Sequence, residues 1–332
     1  MERFRHGNCQ DACAGTLLGA VGVADPAAVL FRRLTFQLGA ADESAADGAP
    51  AAEYADSSYF AEVSAATGAE LVRGRARGTE ELLALADRLL ADGVAVAVAV
   101  DHHAYPHSQY RGLAHRPHFV ILAGREPGAY RYVDPFPRYD VGDVAAVEEV
   151  RRWCASPILP EAARGEYFYA APGAGPGFEA DEYRRAVWAA TLAENVEAML
   201  ADGPGGGATG VAAIRRLAGR LREASASSPA GAAAVLATLP DVGASRLEHG
   251  RWLERGARLV GSRPGAASAA TLQQVARQWD LLVAVAQEHE IDTRSGRRPR
   301  AFLERKLRHL PELVLSIAER EERSMFGLAE VL

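Results

Sequence analysis

The sequence predicts an α+β fold, with a first domain that combines helices with a mainly antiparallel sheet and a second domain built from helices alone. Three observations predict it. The β-patterned runs Glu70–Arg73, Val94–Asp101, His118–Ala123 and Tyr130–Val133 all lie in the first half of the chain. Ala171-Pro-Gly-Ala-Gly-Pro-Gly177 reads as a flexible linker. Beyond it, apolar residues recur only at three- and four-residue steps, the helical period. The domains are drawn at 1–172 and 178–332.

The elements follow in order. Gly7-Asn8 forms a turn, and Ala12, Cys13, Thr16, Leu17 and Ala20 then line one helical stripe, so Cys9 begins a helix. Asp25–Phe31 is a short helix with a start signal, and the Ala-, Asp-, Ser- and Gly-rich residues 40–52 read as a mobile loop. Ser57–Thr67 is helical with Tyr59, Phe60 and Val63 inward. Thr79–Leu90 is an amphipathic helix expected to be capped by Thr79 and stopped at Asp92-Gly93. Val94–Asp101 is a buried strand, and Cys154 follows Trp153 in a helix-like segment. In the second half, helices are expected near 179–202, 208–224, 228–239, 243–260, 267–290 and 299–331, several of them separated by Gly203-Pro-Gly-Gly-Gly207 and Ser262-Arg-Pro-Gly265.

The hairpin carries the chemistry. His118-Phe-Val-Ile-Leu-Ala-Gly124 and Tyr130-Arg-Tyr-Val-Asp134 flank Arg125-Glu-Pro-Gly128. A symmetric register sets 122 opposite 130 and 118 opposite 134, and opposed residues share a face. An imidazole then lies beside a carboxylate, the working half of a nucleophilic triad, and a slip of one residue would part them. The nucleophile is sought among Cys9, Cys13 and Cys154. A helix start favours the thiolate, because the dipole and free N–H groups face it, and this selects Cys9. Cys13, one turn deeper on the apolar stripe, reads as core, and Cys154 as structural. The Cys9 backbone N–H and the Asn8 amide are the oxyanion candidates.

Composition bounds the function. The chain has 332 residues, is 48% hydrophobic and 24% charged, and carries a net charge of −6, an ordinary globular balance that argues against generic nucleic-acid binding. No run reaches the roughly 18 apolar residues of a membrane helix, and the N-terminus lacks an apolar signal region. Three cysteines make no disulfide framework, so a cytoplasmic setting is expected. Five of nine histidines, at 102, 103, 107, 115 and 118, cluster before the hairpin. Their spacing matches no zinc signature, so His103, His107 and His115 are read as lining or covering the site, and no metal is expected.

These segments resemble a known family. Asn8-Cys9-x-x-x-Cys13 followed by Leu18 and Gly22 is similar to the cysteine region of the double-glycine leader peptidases, which are papain-like. The closer resemblance is to the butirosin biosynthesis protein H family. It is carried by Gly7-Asn8-Cys9, Val100-Asp101-His-His-Ala-Tyr105-Pro106, His115-Arg-Pro-His118-Phe-Val-Ile-Leu and Val133-Asp134-Pro135, in order over roughly the first half of the chain. The helical half resembles the domain that commonly follows there.

The resemblance implies a papain-like domain and an acyltransferase that moves an acyl group from an acyl carrier protein thioester to an amine acceptor in antibiotic biosynthesis. Cys9 would be the nucleophile, His118 the general base and Asp134 its orienter. It implies no cofactor beyond the phosphopantetheine of the donor. Asn8 stands where the family usually has histidine, and the glutamine that the peptidases place upstream of the cysteine is absent. Asp101, His103, Tyr105 and His115 are expected to contact substrate, against the plainer readings of loop cap, loop histidines and turn. The basic residues Arg294, Arg297, Arg298, Arg300, Arg305, Lys306 and Arg308 read either as a solvated helix face or as a dock for the acidic carrier protein. A homodimer is also compatible. Two rival functions use the same residues: a cysteine peptidase or amidase, and a non-catalytic binding protein.

Overall fold

The computed structural model describes residues 1–4, 7–34, 37–38, 57–159, 161, 163–173, 180–201, 208–237, 239, 242–330 and 332. The 40–52 loop, the glycine-rich break at 203–207 and most of the 171–177 linker lie outside them. The elements are α1 (Cys9–Ala20), α2 (Ala27–Leu30), β1 (Gln37–Leu38), α3 (Ser57–Thr67), β2 (Glu70–Arg75), α4 (Thr79–Ala91), β3 (Val96–Asp101), β4 (Pro117–Glu126), β5 (Ala129–Asp134), β6 (Val141–Ala146), α5 (Val147–Cys154) and β7 (Glu166–Ala171). There follow α6 (Ala180–Leu200), β8 (Ala208–Thr209), α7 (Gly210–Ser227), α8 (Pro229–Ala237), α9 (Val242–Val260), α10 (Arg263–Arg294), α11 (Ala301–Arg308) and α12 (Leu310–Ala329). The fold is α+β, as the sequence predicts.

The chain divides into two compact units, Met1–Leu30 with Ala55–Ala180, and Phe31–Tyr54 with Asp181–Leu332. The first is built on a six-stranded antiparallel sheet in the order β2-β7-β3-β4-β5-β6. Val96, Val98, Val100, Val120, Leu122, Tyr130 and Tyr132 bury one face beneath Leu82, Leu83 and Ala86 of α4 and Val150 and Trp153 of α5. Phe119 and Phe168 lie on the other face, where Phe60 of α3 meets Phe168 edge to face. Leu17 and Leu18 of α1 are also buried, and Cys13 donates to the Phe119 carbonyl.

In this unit two strands escape the sequence reading. β7 enters between β2 and β3 from far along the chain, and β6 is exposed and weakly patterned. At the start of α4, Gly78 is the cap residue and Thr79 already lies inside the first turn, so the expected threonine cap is corrected. The Arg77 amide donates to Glu81 there instead.

Among its described residues the second unit is helical apart from β1 and β8, a two-residue antiparallel pair that the all-helical reading lacks. The single helix expected over 299–331 is broken at His309 into α11 and α12. Pro311 explains the break: it has no N–H to donate and fits only the first turn of a new helix. Arg246 of α9, Trp279 of α10 and Glu321 of α12 meet in the core, with two guanidinium bonds to the carboxylate at 2.9 and 3.0 Å and the indole N–H at 3.2 Å.

Candidate active site

Cys9 begins α1 because the residues before it cannot continue a helix. Gly7 takes a left-handed φ of 73°, which glycine tolerates without a Cβ clash. Asn8 is the cap: its Oδ1 accepts from the Asp11 N–H at 2.9 Å, and Asp11 Oδ2 accepts from the Asn8 N–H at 3.3 Å. The Asn8 carbonyl oxygen is thereby committed to the helix, and its Nδ2 amide is the end that can turn to a substrate oxygen. The Cys9 N–H, at the first helical position, has no intrahelical acceptor. Of the three cysteines, Cys9 is the one with partial exposure. Cys13 is fully buried, and burial, followed by the negative charge of Asp134, pushes its thiol well up. Burial pushes Cys154 to about 12. Both are locked as thiols.

The hairpin reaches the expected pairing by an unexpected route. Pro127-Gly128 makes a two-residue turn in which Gly128 has φ 76°, and Glu126 faces Ala129, Arg125 faces Tyr130 and Gly124 faces Arg131. Continued regularly, that register would set Ile121 opposite Asp134 and put His118 and Asp134 on opposite faces. A bulge at Ala123 prevents this. Beyond it Leu122 faces Tyr132 and Ile121 faces Val133, so Asp134 falls opposite Val120, on the face that His118 shares. The symmetric register with 118 directly opposite 134 is corrected to a diagonal relation, and the contact survives: His118 Nε2 lies 2.7 Å from Asp134 Oδ2. Asp134 Oδ1 accepts from the Phe136 N–H at 3.1 Å, which fixes the carboxylate in its own turn.

Cys9 lies within electrostatic reach of the same imidazole. Since Nε2 is held by Asp134, Nδ1 is the edge left for the thiol. Burial works against a charge on His118, but the Asp134 carboxylate and the Cys9 thiolate outweigh it and raise the imidazolium to about 10.

Sequence reasoning missed the cover over this pair. The His102 ring stacks on His118 at a centroid distance of 4.6 Å, and Phe136 and Tyr139 meet it edge-on at 5.8 and 5.4 Å. Burial, then the charges of His118, Arg116 and Arg138, push His102 down to about 2, so a neutral ring covers a charged one. A signal for His102 was present: Val100 faces His118 across β3 and β4, so residue 102 had to lie near the same end of the sheet.

The other expected contacts separate into two groups. The Tyr105 hydroxyl is buried beside Asp134 and Tyr132 without closing a hydrogen bond to either, and burial, followed by the Asp134 charge, keeps it protonated. Asp101 is 1% exposed and accepts from the His103 N–H at 3.0 Å, the Arg116 N–H at 3.2 Å and His115 Nδ1 at 2.6 Å. Burial disfavours its charge, but these bonds outweigh it and hold the carboxyl below its usual range. These bonds make it the organiser of the 102–116 loop. His103 stacks on His115 at 4.1 Å, and His107 is exposed with Nε2 2.8 Å from the Tyr132 hydroxyl. Among the described residues no three His, Cys, Asp or Glu side chains are grouped to hold a metal ion. No helix among them is long and apolar enough to cross a membrane.

The chain matches no protein-family model and no curated protein. The residues themselves therefore carry the functional argument.

Proposed function

We propose that the protein is a cysteine-dependent acyltransferase, with a papain-like first domain of the butirosin biosynthesis protein H type. Cys9 takes an acyl group from a carrier-protein thioester and passes it to an amine in natural-product biosynthesis. One observation carries the reading: a partly exposed cysteine at a helix start lies within electrostatic reach of a buried imidazole that a buried aspartate holds.

In the first half-reaction the Cys9 thiolate attacks the thioester carbonyl. The carbonyl oxygen takes the negative charge, with the Cys9 N–H and the Asn8 amide as its donors. The C–S bond to the carrier breaks, and the His118 imidazolium protonates the departing thiolate. In the second, an amine attacks the acyl-Cys9 carbonyl, the C–S bond to Cys9 breaks, and neutral His118 recovers a proton as the amide forms. Exchange between thioesters is near thermoneutral and amide formation from a thioester is downhill, so no nucleotide is needed. The donor's phosphopantetheine arm is the only prosthetic group in this scheme.

Intact-mass spectrometry with an acyl N-acetylcysteamine thioester tests it. Wild type is expected to gain one acyl mass, lost on addition of an amine with formation of the amide. Cys9→Ala is expected to gain none, and an adduct that persists in that variant overturns the assignment. Release of the acyl group only to water, with amine present, would make the protein a hydrolase on the same three residues.

A further inference from the structure

The loop between β3 and β4 builds a second aspartate–histidine pair that the mechanism above leaves idle. His115 Nδ1 lies 2.6 Å from Asp101 Oδ2, with the carboxylate 1% exposed and the imidazole 30% exposed. It repeats the construction of His118–Asp134, a buried carboxylate on one ring nitrogen, but its ring is open to solvent where His118 is sealed. The two pairs are neighbours. His102 stacks on His118 and His103 stacks on His115, and those two stacking rings are consecutive residues, whose α-carbons lie about 3.8 Å apart.

Proton counting gives the second pair a task. An alkylamine stays an ammonium ion up to roughly pH 10.4. To become an amide nitrogen it must lose two protons, one before it can attack and one as the amide forms. His118 has room for one, the proton it gave to the departing carrier thiol. A single imidazole cannot take both.

Resting on the acyl-transfer reading, we propose that the acceptor is an alkylammonium ion and that His115, oriented by Asp101, is the base that removes its first proton. The Nε2 edge takes an N–H proton from the ammonium, and the N–H bond pair stays on nitrogen as the nucleophile. That nitrogen attacks the acyl-Cys9 carbonyl, the C–S bond breaks with its electrons going to Cys9 Sγ, and the second proton goes to His118. The thiolate–imidazolium pair is restored, and His115 returns its proton to water. Asp101 acts only through His115, as a positioning residue.

His115→Asn separates this role from a structural one. The asparagine NH2 can replace the Nδ1–H donor to Asp101 and keep the loop pinned, but it cannot take up a proton. Acyl-Cys9 enzyme is formed with an acyl N-acetylcysteamine thioester. It is then mixed at neutral pH with ethanolamine, which is charged, or with hydroxylamine, which is largely uncharged and has only one proton to lose. Transfer to ethanolamine is expected to fall by about a hundredfold in the variant, the scale of a lost general base, with transfer to hydroxylamine and formation of the acyl-enzyme close to wild type. Equal loss with both amines, or slowed acylation, would make His115 a loop pin and overturn the proposal; so would undiminished transfer to ethanolamine. Failure of wild type to acylate overturns the acyl-transfer reading itself, which is a distinct result.

Discussion

Each unit of the molecule holds a histidine and a carboxylate that are almost completely buried, His118 and Asp134 in one and His249 and Glu321 in the other, and the two treat them in opposite ways. In the sheet unit His118 and Asp134 are paired with each other, 1% and 0% exposed. In the helical unit the buried carboxylate of Glu321 is claimed by Arg246, and His249 is left with the Phe31 carbonyl at 2.9 Å. The consequence is a reversal of charge preference. Burial, reinforced by Arg246, pushes His249 down to about 4, whereas Asp134 and Cys9 overcome the same burial and raise His118 to about 10. Desolvation alone makes a histidine inert. A carboxylate partner instead favours the charged form of the same residue. The helical unit pairs its buried carboxylate with a guanidinium, and the sheet unit pairs its own with an imidazole.

The largest expected effect comes from breaking the pairing in the sheet unit. Asp134→Asn keeps the shape and removes the charge, which makes His118 resemble His249. Acylation of Cys9 by a thioester is expected to fall by about 10³–10⁴-fold, as when a triad loses its aspartate, with the fold retained by circular dichroism. Acylation near the wild-type rate would mean that Asp134 does not set the state of His118.

Next comes the pairing in the helical unit. Glu321→Ala leaves the Arg246 cation buried without its partner, at an expected cost of about 3–5 kcal/mol in unfolding free energy measured by urea titration. Replacing both Arg246 and Glu321 with apolar residues of similar volume should recover most of it. Recovery would mark the pair as structural, in contrast to the pair in the sheet unit.

The smallest effect concerns pH. His249 is neutral in the folded protein, and its pKa of about 4 lies below the roughly 6.5 of an unfolded histidine. The unfolded chain therefore binds a proton there first, and stability present above about pH 6.5 is lost as pH falls toward 4. His118 has the opposite sign: its contribution is complete below about pH 6.5 and is lost as pH rises toward about 10. His249→Asn keeps a donor for the Phe31 carbonyl and is expected to flatten the acid limb by about 3 kcal/mol between pH 6.5 and 4. An unchanged acid limb would show that His249 is already charged when folded.

Much of the site was legible in local sequence. Gly7-Asn8 ahead of an apolar helical stripe announces a helix start at Cys9, because glycine and a capping asparagine act within one turn. The strands bearing His118 and Asp134 were legible as a hairpin for the same reason, their turn being a few residues long. The register was not. It depends on the turn closing over two residues and on the bulge at Ala123, and neither changes the hydrophobic pattern in a way that a run of Phe119-Val-Ile-Leu122 can display. β7 was missed because its partners, β2 and β3, lie far from it in the chain. The cover of His102, Phe136 and Tyr139 was missed because stacking joins two loops that only the sheet brings together.

By itself the sequence determined the α+β class, most helices, the cysteine at a helix start and the strands carrying its histidine and aspartate. These are set by interactions among residues a few positions apart, where capping, turn chemistry and periodicity act. Only the tertiary structure decided that a bulge returns His118 and Asp134 to one face, that Cys9 meets the ring from more than a hundred residues away, and that Asp101 holds a second histidine in the same loop. Those outcomes depend on burial and on contacts between distant segments, which give one histidine a charge and deny it to another.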